Sequence, residues 1–356
     1  MLRKSDFKRI LIVRLSAIGD VVVTTPVAKA LRGAFPEAHI AWIVEDKSKE
    51  ILEGNPYLDE VIVWDRSKTK NTPLGYLRSA LHLRRELVKR HFDVAIDFQG
   101  LMRSAVIARL SGARQRLGYD NAREKAGILY DVRLRIGDSG LRGHELLMKM
   151  LGLLGVPCEN LEMHVPIRDE DRAFARRFIA EASSARKSAG KIVALCPATT
   201  WPHKHWTEEG WACLADALVR EHNALPVFMG GPGDRALVDR ILSLMGQRAA
   251  DAVGKTTLKQ AAAILEQSSL VVAVDTGLLH IGVALDRPVI GVFGPSEWQF
   301  FVKKDNFVPV AKDFACIPCV HRPTCSEFDC MKAITADDIL RAAERWLGGK
   351  RIGTDS

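Results

Sequence analysis

Short apolar runs alternate with stretches of helical spacing along most of the chain. Arg9–Leu15 (RILIVRL) is a continuous apolar run of strand length, and Asp20–Gly33 follows with Val22, Val23, Pro26, Val27, Ala30 and Leu31 at helical intervals. His39–Val44, Glu60–Trp64 and Asp93–Asp97 predict further strands, and Leu74–Arg90 and Met102–Leu110 predict helices. Continuous apolar strands separated by helices are the pattern of βαβ units, whose parallel sheet is covered on both faces.

A polar stretch, 168–190, interrupts this rhythm. Asp169, Glu170 and Asp171 suit the first turn of a helix, and SSARKSAGK closes the stretch as a breaker-rich linker. The alternation then restarts. Strands are expected at Ile192–Leu195, Leu225–Met229, Leu270–Val274 and Pro288–Phe293, and helices at Thr207–Arg220, Arg235–Leu244, Leu258–Glu266 and Gly277–Leu285. The expected class is α/β, two Rossmann-like doubly wound domains. Residues 1–167 form the first domain, 168–190 a linker helix and 191–334 the second domain. Residues 335–356 form a terminal helix and tail. Such sheets bind ligands beyond the carboxyl ends of their strands, so a cleft between the two domains is the expected site.

The chain's 356 residues suit two domains, and 51 Lys and Arg against 43 Asp and Glu leave a formal charge of +8. That excess favours anionic partners, although a solvated basic surface would give the same sum. The apolar run near the amino end is broken by Arg14 and ends at Asp20, so it reads as a strand, and the protein is expected to be cytoplasmic. Seven cysteines, expected to be reduced there, include a cluster at Cys316, Cys319, Cys325 and Cys330, spaced C-x2-C-x5-C-x4-C within 316–330. Four close thiols suit a structural zinc or iron–sulfur site, or simply reduced thiols.

Candidate chemistry concentrates where strands run into helices. Ser16-Ala17-Ile18-Gly19-Asp20 follows the first strand. Gly19 permits close backbone approach to a ligand, and Asp20 is placed either to cap the helix or to act as a general base. Thr199, Thr200, Lys204 and His205 follow the strand at 192, a combination suited to an anion. Asp275-Thr276-Gly277, with His280 one turn on, opens a helix whose N–H groups would point at a bound group, unless Asp275 or Thr276 merely caps it. Gly231-x-Gly233, with Asp251 downstream, is formally close to a dinucleotide fingerprint, which leaves an NAD-dependent enzyme as a rival class; a non-catalytic nucleotide-binding protein is another. Gly254-Lys255-Thr256 has Ala249 in place of the first P-loop glycine. The one Asp-x-Asp, Asp169 to Asp171, falls in the polar linker helix, so no metal-dependent sugar-diphosphate motif stands out.

Taken together these segments resemble the ADP-heptose:lipopolysaccharide heptosyltransferases of glycosyltransferase family 9, heptosyltransferase I in particular. Arg14 to Asp20 with Thr25-Pro26 resembles their amino-terminal signature, and Asp97-Phe98-Gln99-Gly100-Leu101 with Arg103-Ser104 their acceptor segment. Lys204-His205-Trp206 and Asp275 to His280 resemble their donor motifs. The resemblance implies a GT-B fold and inverting transfer of heptose from ADP-heptose to Kdo of the lipopolysaccharide inner core, without a required cofactor or metal. A heptosyltransferase II-like enzyme with another acceptor is the near alternative. On this reading Asp20 is the base. Thr199, Thr200, Lys204, Asp234, Asp275, Thr276, Gly277 and His280 bind the donor, Asp234 standing near the family's ribose acid although Gly-Pro-Gly departs from that pattern. Ser16, Gly19, Arg66, Gln99, Arg103 and Arg123 bind the acceptor, with Lys68 and Lys125 adding positive charge nearby. The expected protein is a monomer in peripheral contact with the inner membrane, with no nucleic-acid partner.

Overall fold

The computed structural model describes residues 7–65, 72–136, 143–157, 162–184, 190–296, 298, 305–319, 323 and 325–348. They form two compact units divided between Pro166 and Ile167.

The first unit holds the strands β1 (Arg9–Val13), β2 (His39–Glu45), β3 (Glu60–Trp64), β4 (Val94–Asp97), β5 (Gln115–Tyr119) and β6 (Val132–Leu134). Its helices are α1 (Ile18–Thr24), α2 (Pro26–Ala34), α3 (Pro73–Val88), α4 (Met102–Leu110) and α5 (His144–Leu153). All pairings are parallel, in the order β3-β2-β1-β4-β5-β6. The order reverses between β1 and β4, whose last paired residues are Val13 and Asp97. On one face Leu11, Val13, Ala41, Ile43 and Ala95 pack beneath Leu87 of α3 and Ile107 and Ala108 of α4.

The second unit repeats the plan with α6 (Asp169–Ser184), β7 (Ile192–Cys196), α7 (Glu208–His222), β8 (Leu225–Phe228), α8 (Arg235–Leu244) and β9 (Ala250–Asp251). It continues through α9 (Leu258–Glu266), β10 (Leu270–Val274), α10 (Gly277–Ala284), β11 (Val289–Phe293), β12 (Phe307–Ala311), α11 (Asp329–Lys332) and α12 (Ala336–Leu347). Its parallel order is β12-β11-β10-β7-β8-β9, reversing between β7 and β10. The polar helix α6 packs on α9 within this unit, and Arg172 reaches Glu266 at 2.9 Å. Lys191 Nζ donates to the carbonyls of Trp346 (2.8 Å) and Leu347 (2.7 Å), tying the end of α12 to the start of β7.

Three expectations change. The single helix expected over 20–33 is two, because Pro26 has no N–H to continue α1 and instead occupies the first turn of α2. β5 and β6, at one edge of the first sheet, are short and of mixed polarity and carry little periodic signal. β12 contains Pro309, which a sheet tolerates at an edge, where β12 lies.

Candidate active site

The four motifs singled out in the sequence are the loops that leave β1 and β4 in one unit and β7 and β10 in the other. In each sheet these are the two strands flanking the reversal of strand order, where doubly wound sheets leave room for a ligand.

In the first unit the chain turns from β1 into α1 at Ala17. Asp20, in the first turn, accepts the Ala17 N–H on Oδ2 (3.2 Å), and its Oδ1 lies 2.9 Å from Arg14 Nη2. Asp20 therefore does cap, and it is also ion-paired and half exposed, with a side-chain exposure of 55%. Gly19 is buried behind it. Arg14 is itself held, because its other guanidinium nitrogen donates to the Phe98 carbonyl in the loop after β4.

That second loop is organised by a buried carboxylate. Asp97 Oδ1 accepts the N–H groups of Gln99 (2.7 Å) and Gly100 (3.1 Å), and Oδ2 accepts the Tyr130 hydroxyl (2.7 Å). Burial pushes the Asp97 carboxyl above its ordinary range, and the donors on Ser104, Tyr130, Gln99 and Gly100 oppose that. Gly100 has φ +69°, and a Cβ there would meet the Tyr119 ring at 3.0 Å. The turn brings Gln99 Oε1 to 2.8 Å from the Leu15 N–H, and Arg103 to Ser16 Oγ (2.7 Å) and Glu45 Oε1 (2.9 Å). Arg123 joins through its backbone, donating to the Gly100 carbonyl (3.0 Å), and its side chain is exposed, as is that of Lys125. Ser16, Asp20, Gln99, Arg103 and Arg123 are thus gathered, and Arg66 and Lys68 lie outside the described residues. Sequence reasoning missed Arg14 as the partner of Asp20 and Glu45 as the partner of Arg103. A charged residue closing a buried strand was the available signal for Glu45.

In the second unit Lys204 Nζ lies 2.6 Å from Asp275 Oδ2, and Ser296 Oγ donates to the same oxygen (2.9 Å). Burial would raise the Asp275 pKa, but the Lys204 charge, its hydrogen bond, and His280 and Ser296 outweigh it and hold the carboxyl below the usual range. Thr199 Oγ1 donates to the Asp275 carbonyl (2.8 Å), so the loops after β7 and β10 are bonded to each other twice. Neither Asp275 nor Thr276 caps α10 through its side chain: Asp275 is turned to Lys204, and Thr276 makes no capping bond. Thr200 is exposed beside them.

The Lys204 loop rests on the tail of the chain. His203 packs near Phe328 (6.2 Å between centroids), and Trp206 Nε1 donates to the Ile334 carbonyl (2.9 Å). Phe328 belongs to the Cys-rich segment, and Ile334 follows it. Cys330 is buried next to Met331 in the core, and Cys316 and Cys325 are exposed. Among the described residues no three or more His, Cys, Asp or Glu side chains are gathered as a metal site, so zinc or an iron–sulfur cluster there is without support.

The Gly-Pro-Gly loop after β8 folds on itself. Asp234 Oδ2 accepts the Gly231 N–H (2.7 Å), so Asp234 stabilises its own turn. Asp251, the acid of the dinucleotide reading, is taken by Arg235 (2.8 Å) and Lys255 (2.6 Å).

Comparison with known proteins gives this arrangement a family. The model for glycosyltransferase family 9 (heptosyltransferase) matches residues 80–329. Lipopolysaccharide heptosyltransferase 1 of Escherichia coli K12 is 30% identical over 300 residues, 81% of this chain and 88% of that protein. The E. coli heptosyltransferase WaaC solved with ADP superposes with a TM-score of 0.68 at 25% identity, over 95% of this chain and 97% of that one. A family 9 glycosyltransferase from Veillonella parvula shares the fold, with a TM-score of 0.81 at 23% identity over 96% and 97% of the two chains. The chain belongs to glycosyltransferase family 9, the heptosyltransferases, and is an enzyme of two Rossmann-like units, the GT-B architecture.

Proposed function

We propose that this enzyme moves a heptose from ADP-heptose to a Kdo-bearing acceptor of the lipopolysaccharide inner core, inverting the anomeric centre and using no divalent metal. The observation that carries the reading is the Lys204–Asp275 pair beside the amino end of α10, at the reversal point of its sheet. A nucleoside diphosphate leaves with negative charge growing on its phosphate oxygen, and a fixed ammonium with backbone N–H donors stabilises that charge without a metal ion. The relatives support the substrates: one is named for lipopolysaccharide, and another was solved with ADP.

Asp20 is the base that takes the acceptor hydroxyl proton. Its pairing with Arg14 holds the carboxylate in position, and its exposure leaves it reachable. A single displacement by that hydroxyl inverts the sugar carbon, by the logic of opposed groups in inverting glycosidases. Gln99, Arg103, Arg123 and Ser16 hold the anionic acceptor, arginine being suited to carboxylate and phosphate. Thr199, Thr200, Thr276, Gly277 and His280 complete the donor side. Asp234 contributes to the donor side by shaping its loop. Both substrates place the enzyme in the cytoplasm, and no helix among the described residues is long and apolar enough to cross a membrane. A donor screen with ADP-heptose, UDP-sugars and GDP-sugars tests the proposal: turnover with ADP-heptose alone supports it, and preference for a UDP- or GDP-sugar refutes it.

A further inference from the structure

Helix α3 is amphipathic in an unusual sense. Its inner face is accounted for: Leu87 is fully buried and Leu83 packs with it against the first sheet. Its outer face carries further apolar residues, interrupted by the exposed Arg84. Leu77, Leu81 and Val88 stand at i, i+4 and i+11, one side of a helix, with exposures of 56%, 47% and 36%. Burying leucines is worth more than leaving them in water, so two adjacent exposed leucines on a regular helix call for a partner.

The composition beside the stripe says which partner. Arg84 stands at i+7 within the stripe, and Arg78, His82, Arg85 and Lys89, each one position on from Leu77, Leu81, Arg84 and Val88, form a parallel row; all five are exposed. The one acid on this part of the helix, Glu86, is paired with Lys89 at 2.9 Å. The neighbouring helix α4, packed against α3, adds exposed Val106 and Arg109. A protein partner would have to neutralise this row with acids of its own, whereas an anionic lipid surface offers apolar depth and negative charge together. Leucine on one side and arginine or lysine on the other is the composition of helices that lie in the plane of a bilayer interface.

We propose that α3 is an interfacial helix that seats the first unit on an anionic bilayer surface, Leu77 and Leu81 entering the headgroup region and Arg78, Arg84, Arg85 and Lys89 meeting lipid phosphates. The proposal goes beyond the transfer reaction and does not depend on which sugar is moved. It gives an enzyme whose acceptor is lipid-linked a place to meet it.

The test is co-sedimentation of the full chain with phosphatidylcholine vesicles, with and without phosphatidylglycerol. The wild type should bind the phosphatidylglycerol vesicles and not the neutral ones, with affinity falling as salt rises. The variant L77Q/L81Q should lose binding by about tenfold or more. The variant R78Q/R85Q should lose about fivefold per cation removed. Neither variant touches the loops of the catalytic site, so turnover on a water-soluble, delipidated acceptor and the melting temperature should stay at wild-type values. Equal vesicle binding by wild type and L77Q/L81Q overturns the proposal. So does a wild-type dimer, seen by sedimentation velocity and lost in L77Q/L81Q without any vesicle binding, which would make the stripe a contact between copies. A failure of the sugar-transfer assignment alone would leave vesicle binding unchanged.

Discussion

Lys204 Nζ lies 2.6 Å from Asp275 Oδ2, so the cation assigned to the donor diphosphate is held in place by a carboxylate of the neighbouring loop. A carboxylate beside a diphosphate is repulsive, and its contribution is to fix where the ammonium stands. Lys204→Ala should weaken ADP binding by the value of a charged hydrogen bond, ~1.5–3 kcal/mol. Asp275→Asn should lower turnover by freeing Lys204. The double variant should cost less than the sum of the two. Calorimetry with ADP and steady-state kinetics on all four proteins read the coupling, and strict additivity would mean that Asp275 acts independently. Because the Asp275 pKa is depressed by Lys204, the ion pair is complete above the ordinary carboxylate range and is lost only as pH falls through the lower folded value. The ratio of ADP affinities of the wild type and Asp275→Asn should therefore be flat from neutral pH down through the ordinary carboxylate range, the titration of the ADP phosphate (second pKa about 6) being common to both.

Asp20 has two jobs that one substitution separates. Its carboxylate accepts the Ala17 N–H and pairs with Arg14. Asn keeps an acceptor for the cap but cannot take a proton. Asp20→Asn should lower kcat by about 10²-fold or more while leaving ADP binding and melting temperature nearly unchanged. Near wild-type turnover in Asp20→Asn would reduce the residue to a cap.

Arg103 spans Ser16 and the buried Glu45, a geometry that a lysine cannot reproduce with its single ammonium. Arg103→Lys should raise acceptor KM by about tenfold or more, the equivalent of a charged hydrogen bond, and leave ADP affinity alone. Acceptor KM should also rise with ionic strength in both proteins, because lysine keeps the positive charge. Initial rates at two salt concentrations check both, and an unchanged KM removes Arg103 from the acceptor site.

These loops were legible in the sequence because each follows a buried apolar strand and carries residues a plain turn does not need, such as Lys204 between two histidines. The pairings were not. Glu45 and Arg103 are 58 positions apart, and Arg14 reads as the end of a strand until the fold brings Asp20 back beside it. The support that Phe328 and Ile334 give to His203 and Trp206 is likewise tertiary. The edge strands escaped notice for a local reason: β12 has Pro309 at its centre, and β9 is two residues long.

Asp338 closes the start of α12, accepting the Thr335 N–H and hydroxyl, both at 2.9 Å, and pairing with Lys312 and Arg341. Burial would raise its pKa, and these donors hold it far below the ordinary value. The stabilisation is therefore present above the ordinary carboxylate pKa and fades as pH falls toward the folded one. Asp338→Asn should lower stability by ~0.5–2 kcal/mol near neutral pH. The gap in melting temperature between the two proteins should narrow on acidification, and a gap that widens would contradict the assignment.

In the proposed reaction heptose passes from ADP-heptose to a Kdo-bearing acceptor without a metal, Lys204 and the amino end of α10 standing in place of a cation. The most direct measurement is acceptor-dependent ADP release from ADP-heptose by the purified enzyme in excess EDTA, with a Kdo-bearing lipid A acceptor and a neutral sugar in parallel. Undiminished ADP release with the Kdo acceptor and none with the neutral sugar is the expected result. Activity abolished by EDTA and restored by magnesium or manganese, or equal use of the neutral sugar, would contradict it.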